Sequence, residues 1–229
     1  MARIKVMSAG AVEGPVSELA PEFTKTSGHA VELHFNTVGA HRDAFVGGEK
    51  TDVIILSVPV IEALDKQGRL VAGSRTMLGQ ASCGVAVRDG MMMPNIATVE
   101  SFKRMLHHAG SIAANDPVHG GSSGIYLAEL LTRLGMADEV KPKLFLCKTG
   151  RDCAIALLRG DAEIGITFTS EFAAVPGTRV VGTFPKEIEY VNGYAGAIAN
   201  DAAPEPAASF LAYLTSPAAK ACFKSFGLE

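Results

Sequence analysis

Cysteine is scarce in this 229-residue chain: the four present, Cys83, Cys147, Cys153 and Cys222, show no CxxC spacing and sit in apolar stretches. That pattern suits small buried hydrophobes and speaks against a metal centre or a disulfide framework. Basic runs are also missing. The formal net charge is −3, and Lys and Arg are scattered among Asp and Glu, which leaves no electrostatic footprint for nucleic acid or an anionic membrane surface. Nowhere do apolar residues run unbroken for the roughly eighteen needed to cross a bilayer, so membrane insertion is not expected. No Walker A or HExxH pattern occurs, which removes nucleotide hydrolysis and zinc proteolysis from consideration. No cofactor or metal is implied.

The N-terminus, Met1-Ala2-Arg3-Ile4-Lys5-Val6, enters a strand without an apolar leader or a cleavage site. As it stands the sequence reads as cytoplasmic. A signal peptide removed and replaced by Met-Ala would make the native product periplasmic, and the residues leave both open.

What the chain does have is a repeated device. Four stretches each read as a strand running into a small-residue turn that opens a helix: Ser8-Ala9-Gly10-Ala11, Asn36-Thr37-Val38-Gly39-Ala40, Gly120-Gly121-Ser122-Ser123-Gly124 and Lys148-Thr149-Gly150-Arg151. A helix start carries unpartnered N–H groups and the positive end of the helix dipole, and little side-chain bulk lets an anion come close. Taken singly, such turns serve backbone geometry; four together point to an anion site.

Short β-branched runs alternate with helical patterns, which places the chain in the α/β class with mostly parallel sheets flanked by helices. Strands are expected near Ile4–Ser8, Val31–Phe35 and Asp52–Leu56, with helices over Val12–Thr26, Ala40–Gly47 and Pro59–Gln67. Pro21 predicts a kink or break in the first helix. A second unit follows, with strands Ser111–Asn115, Leu144–Cys147, Ile164–Phe168 and one near Arg179–Gly182. Its helices are expected over Val99–His108, Ser123–Leu134 and Arg151–Arg159. Two terminal helices, Glu205–Leu214 and Pro217–Phe226, are too little for a domain and are expected to return to the first lobe. The division is therefore residues 1–82 plus 190–229 for lobe 1 and 83–189 for lobe 2, joined by two crossover strands, with a ligand cleft between the lobes.

With the turns in this order, the chain resembles the type II periplasmic binding proteins, in particular the ModA-like molybdate-binding branch. The resemblance spans nearly the whole chain. It rests on Ile4 to Gly10, Thr51-Asp52-Val53, Asp116-Pro117 through Ser123-Gly124-Ile125-Tyr126, Leu134-Gly135, Gly165-Ile166 before Phe168, and Phe184-Pro185. It implies a small anionic ligand and, if the chain is exported, an ABC permease as partner. In that branch, hydroxyls at the first two turns, backbone N–H groups at the last two and a tyrosine hold the oxyanion. Those positions fall here on Ala11, near Val38-Gly39, on Ser123 and Arg151, and on Phe168. Most of the hydroxyls are missing, and an unpaired buried ligand oxygen costs about 1–3 kcal/mol, which weighs against molybdate.

The chain is also similar to a sister branch that includes aconitate isomerase. That likeness lies in Val6-Met7-Ser8-Ala9-Gly10, Asp52-Val53-Ile54-Ile55, Lys66-Gln67-Gly68, Ala86-Val87-Arg88-Asp89-Gly90 and Pro94-Asn95-Ile96. It implies an isomerase of an unsaturated carboxylate as the alternative to a binding protein.

The candidate ligand-binding residues are thus Ser8, Gly10 and Ala11; Thr37, Val38, Gly39 and Arg42; Ser122, Ser123 and Gly124; Thr149, Gly150 and Arg151; and Phe168. Arg42 and Arg151 suit a carboxylate, which a guanidinium binds in bidentate fashion, though each also reads as a solvated first-turn arginine. His41 and His119 stand on the second and third turns and are the candidate catalytic groups for proton transfer, or else ordinary loop residues.

Overall fold

The computed structural model describes residues 2–229, and the chain divides into two compact units, Met1–Ala81 with Asn192–Glu229 and Ser82–Val191. The first begins with β1 (Arg3–Ala9), a 3-10 turn at Gly10–Val12 and α1 (Glu13–Ser27), followed by β2 (Ala30–Asn36), α2 (Val38–Val46), β3 (Val53–Ser57) and α3 (Val58–Lys66). β4 (Thr76–Arg88) leads into the second unit. There follow α4 (Val99–His108), β5 (Ile112–Asn115), α5 (Ser122–Arg133), α6 (Ala137–Val140), β6 (Leu144–Cys147), α7 (Gly150–Arg159), β7 (Ile164–Phe168), α8 (Thr169–Ala173) and β8 (Thr178–Thr183). β9 (Val191–Ile198), α9 (Pro204–Leu214) and α10 (Pro217–Ser225) complete the first unit.

In the first unit the strand order is β2-β1-β3-β9. β1 runs parallel to both β2 and β3, and β9 returns antiparallel to β3. All five residues of β3 are buried, as expected of a strand with helices on both faces of its sheet. Phe23 of α1 meets Phe210 edge-on at 5.1 Å and Tyr213 at 5.4 Å, which docks α9 against α1 and ties the C-terminal helices to this unit.

The second unit repeats the plan with β5 parallel to β6 and β7, and with β4 antiparallel to β7 and β8. β7 is buried along its whole length. Behind it lies a core of small residues, Ala86, Ala113, Ala154 and Ala156, closed by Leu157 and Phe172. Cys147 and Cys153 belong to this core, and burial pushes the Cys153 thiol well above the ordinary range. Small side chains let α7 approach the sheet closely.

The first helix departs from expectation. α1 continues unbroken through Pro21. Pro21 and Ser17, whose carbonyl loses its partner, both lie on the exposed face, so water satisfies the freed oxygen while Val16, Leu19, Ala20 and Phe23 hold the inner face in the core. The short helices α6 and α8 have no counterpart in the sequence reading. Among the described residues no helix is long and apolar enough to cross a membrane.

Candidate functional site

In the first unit the parallel register pairs Ala9 with Asn36, so the strands β1 and β2 end side by side and their turns open α1 and α2 at the same sheet edge. Ser8 is fully buried, and its hydroxyl donates to the Ala9 carbonyl at a long 3.4 Å. Gly10 and Ala11 lie in the 3-10 turn, Ala11 buried. Thr37 caps α2: its hydroxyl accepts from the Ala40 N–H at 3.1 Å, and its own N–H donates to Asn36 Oδ1 at 2.9 Å. Val38 and Gly39 follow, buried in the first turn.

His41 is buried beneath that turn, its Nε2 3.0 Å from the His34 carbonyl. Burial lowers its pKa below the ordinary imidazole range, opposed by carbonyl hydrogen bonds from His34 and Ser8. The ring thus bridges strand to helix as a neutral group. Arg42 is exposed and bonds its own neighbour, with Nε donating to Asp43 Oδ1 at 2.8 Å.

The second unit has the same arrangement. Asn115 pairs with Cys147 in the parallel register of β5 and β6, which brings the openings of α5 and α7 to one sheet edge. Gly124 permits this: a β-carbon there would collide with the Asn115 carbonyl. Asp116 Oδ1 accepts from the Val118 N–H at 3.0 Å, and His119 is exposed with its Nδ1 3.3 Å from Asp116 Oδ2.

Ser122, Ser123 and Gly124 form the first turn of α5 behind the N-cap Gly121. The buried Ser123 hydroxyl lies 3.0 Å from Thr167 Oγ1, and Thr167 donates in turn to the carboxylate of Glu171. Glu171 is itself buried, and its carboxylate fills the space beside Gly150. The openings of α5 and α7 are therefore linked through Ser123, Thr167 and Glu171. The carboxylate beside the first turn of α7 complements the helix dipole.

Thr149 caps α7 reciprocally with Asp152. Its hydroxyl accepts from the Asp152 N–H at 3.2 Å and donates to Asp152 Oδ2 at 2.8 Å, while its N–H donates to the same oxygen at 3.0 Å. Arg151 is exposed on that turn.

Phe168 ends β7, buried, with its ring centroid 6.0 Å from Tyr190. Tyr190 stacks on Tyr126 at 4.4 Å, nearly parallel, and Tyr126 stands 6.4 Å from Phe184. The Tyr190 hydroxyl is hydrogen-bonded to the Ser122 side chain, and burial raises its pKa above the ordinary phenol value. The Tyr126 hydroxyl donates to the Ile188 carbonyl at 3.0 Å and accepts from Arg133 at 2.9 Å.

The first unit thus gathers Ser8, Gly10, Ala11, Thr37 and Gly39, and the second gathers Ser122, Ser123, Gly150 and Phe168. Thr167, Glu171 and Tyr190 escaped the sequence reading. The polar run Thr169-Ser170-Glu171 after a buried strand is the same strand-to-helix signal as the four turns, and it marks the start of α8. Among the described residues no group of three or more His, Cys, Asp or Glu side chains is placed to hold a metal ion.

Comparison with known proteins matches residues 4–229 to the sequence model of the family described as bacterial extracellular solute-binding protein. Aconitate isomerase of a Pseudomonas species is 29% identical over 99% of this chain and 87% of its own. The molybdate-binding protein ModA of Escherichia coli K12 is 27% identical over 98% and 88% respectively. Among solved structures, the periplasmic molybdate-binding protein of Azotobacter vinelandii superposes with a TM-score of 0.81 at 21% identity, covering 99% of this chain and 98% of that one, a likeness of fold.

Proposed function

The chain belongs to the bacterial extracellular solute-binding protein family, and from that premise we propose that it binds a small organic polycarboxylate at the turns that end its parallel strands. The observation that carries this reading is the register. Ala9 against Asn36 in one unit and Asn115 against Cys147 in the other each align two helix openings at one sheet edge. Helix openings attract anions through their N–H groups and dipoles. Two of the positions where the ModA-like branch places an oxyanion-binding hydroxyl, Ala11 and Phe168, carry none here. The Thr149 hydroxyl both accepts from and donates to Asp152. A carboxylate asks for fewer donors per ligand atom, and exposed Arg151 on the fourth turn supplies a planar fork suited to it.

The likeness to aconitate isomerase favours a second reading, that the bound carboxylate is unsaturated and undergoes isomerisation. As a receptor, the exported chain would pass its ligand to an ABC permease.

Thermal unfolding with molybdate, tungstate, sulfate, citrate, and cis- and trans-aconitate tests the proposal, because a ligand of the folded state raises Tm by mass action. A rise with the tricarboxylates supports it. A rise with molybdate or sulfate alone overturns it and makes the protein an oxyanion binder. Conversion of trans- to cis-aconitate followed by absorbance then separates the isomerase from the receptor.

A further inference from the structure

An aromatic wall stands over the opening of α5. It is built from Phe168 at the end of β7, Tyr190 and Tyr126 in near-parallel contact, and Phe184 beyond them. Only two of these rings carry a hydroxyl, and the two are used differently. Tyr126 directs its oxygen away from the helix opening, to the Ile188 carbonyl and the Arg133 guanidinium, whose carbon also lies 5.4 Å over the Tyr126 ring. Tyr190 directs its oxygen to Ser122, the first residue of α5.

The Tyr190 ring has little freedom. Tyr126 stacks on one face, Phe168 stands beside it, and the backbone is pinned by the Cys83 N–H, which donates to the Tyr190 carbonyl at 2.9 Å. A phenol fixed in this way meets a ligand without losing further rotamer entropy. Its environment also keeps it protonated. Burial raises its pKa, the neighbouring Cys83, Glu129 and Tyr126 add to the rise, and the Ser122 hydrogen bond opposes it. At neutral pH it is a donor.

We propose that Tyr190 is a ligand-binding residue of the second unit: of the two protons in the Tyr190–Ser122 hydroxyl pair one lies between the two oxygens, and the other is donated to an oxygen of the bound carboxylate. The inference rests on the proposed function, and it adds a hydroxyl donor on the wall where Phe168 has none. It also assigns the two tyrosines opposite roles: Tyr190 contacts the ligand, and Tyr126 props it up.

Isothermal titration of trans-aconitate and citrate into the wild-type protein and into Y190F, S122A and Y126F tests it. Y190F keeps the ring and its stacking, so its Tm without ligand should match wild type while its affinity falls about tenfold, the effect of losing one hydrogen bond to a charged group. S122A removes the partner hydroxyl and should weaken binding in the same direction. Should Y190F fold poorly, S122A reads the same pair of donors. Y126F should bind within about twofold of wild type. Wild-type binding with Y190F and S122A equally tight overturns the role of Tyr190 and leaves the carboxylate reading standing. No heat from either carboxylate with wild type overturns both.

Discussion

The carboxylate of Glu171 lies against the α-carbon of Gly150, in the space a side chain there would need. A turn that looks open in the sequence is therefore lined by a buried carboxyl group of the protein itself.

Gly150→Ala should destabilise the protein, although alanine is the better helix former. A β-carbon would fall within the contact distance of all three carboxyl atoms of Glu171. That carboxylate is held by Thr167 and surrounded by the core, so the turn or α8 must shift. Overpacking of this kind costs about 1–3 kcal/mol. Urea unfolding should show a lower midpoint with an unchanged slope, and Glu171→Ala introduced with Gly150→Ala should restore part of the loss. A Gly150→Ala protein as stable as wild type would show that the carboxylate is free to move aside.

Thr167→Val keeps the shape of the side chain and removes the hydroxyl between Ser123 and Glu171. Both partners are buried, so each loses a hydrogen bond that water cannot replace. The expected loss is about 1–3 kcal/mol in chemical unfolding. Thr169→Val, two residues on at the start of α8, is the control. It swaps the same atoms outside the Ser123–Thr167–Glu171 chain, and it should cost less.

Much of this was legible in the sequence, for a local reason. Turns such as Thr37-Val38-Gly39 and Thr149-Gly150 are written in consecutive residues, and a Thr followed three positions later by Asp152 carries its own capping geometry. The parallel pairing of β5 with β6 and with β7 followed from the alternation of strands and helices. Glu171 was not legible because its partners lie on other elements: Gly150 opens α7, Ser123 opens α5, and only packing brings them together. Tyr190 was hidden in the same way, since nothing in Glu189-Tyr190-Val191 signals a stack on Tyr126. Pro21 shows the opposite error, a strong local rule overridden because the freed Ser17 carbonyl faces water.

Arg42→Ala should leave carboxylate affinity within about twofold of wild type. The sequence places Arg42 one turn into α2, beside the second anion turn, but its guanidinium pairs with Asp43 and stands in solvent. The Arg42 pKa is raised and the Asp43 pKa lowered chiefly by that mutual hydrogen bond. Titration of trans-aconitate into Arg42→Ala and Arg151→Ala compares the two guanidinium groups directly, and a tenfold or greater loss in Arg42→Ala would show that the pair opens to receive ligand.

The stability of the protein should fall as the pH drops below about 6.5, and His41 should be a cause. Burial lowers the His41 pKa in the folded chain, whereas in the unfolded chain imidazole titrates near its ordinary value of about 6.5. Between these two values the unfolded state takes up a proton that the folded state refuses, so acid favours unfolding there. Above about 6.5 both states hold a neutral ring and the effect vanishes; below the folded value both are charged and the loss is complete. Tm measured at pH 7.5 and 5.5 should therefore differ more in wild type than in His41→Gln. Glutamine can still donate to the His34 carbonyl but binds no proton in this range. Equal pH dependence in the two proteins would mean that the buried ring accepts its proton without cost, held as an imidazolium by the His34 and Ser8 carbonyls. In that state His41 would place a positive charge beneath the opening of α2 and strengthen anion binding in acid.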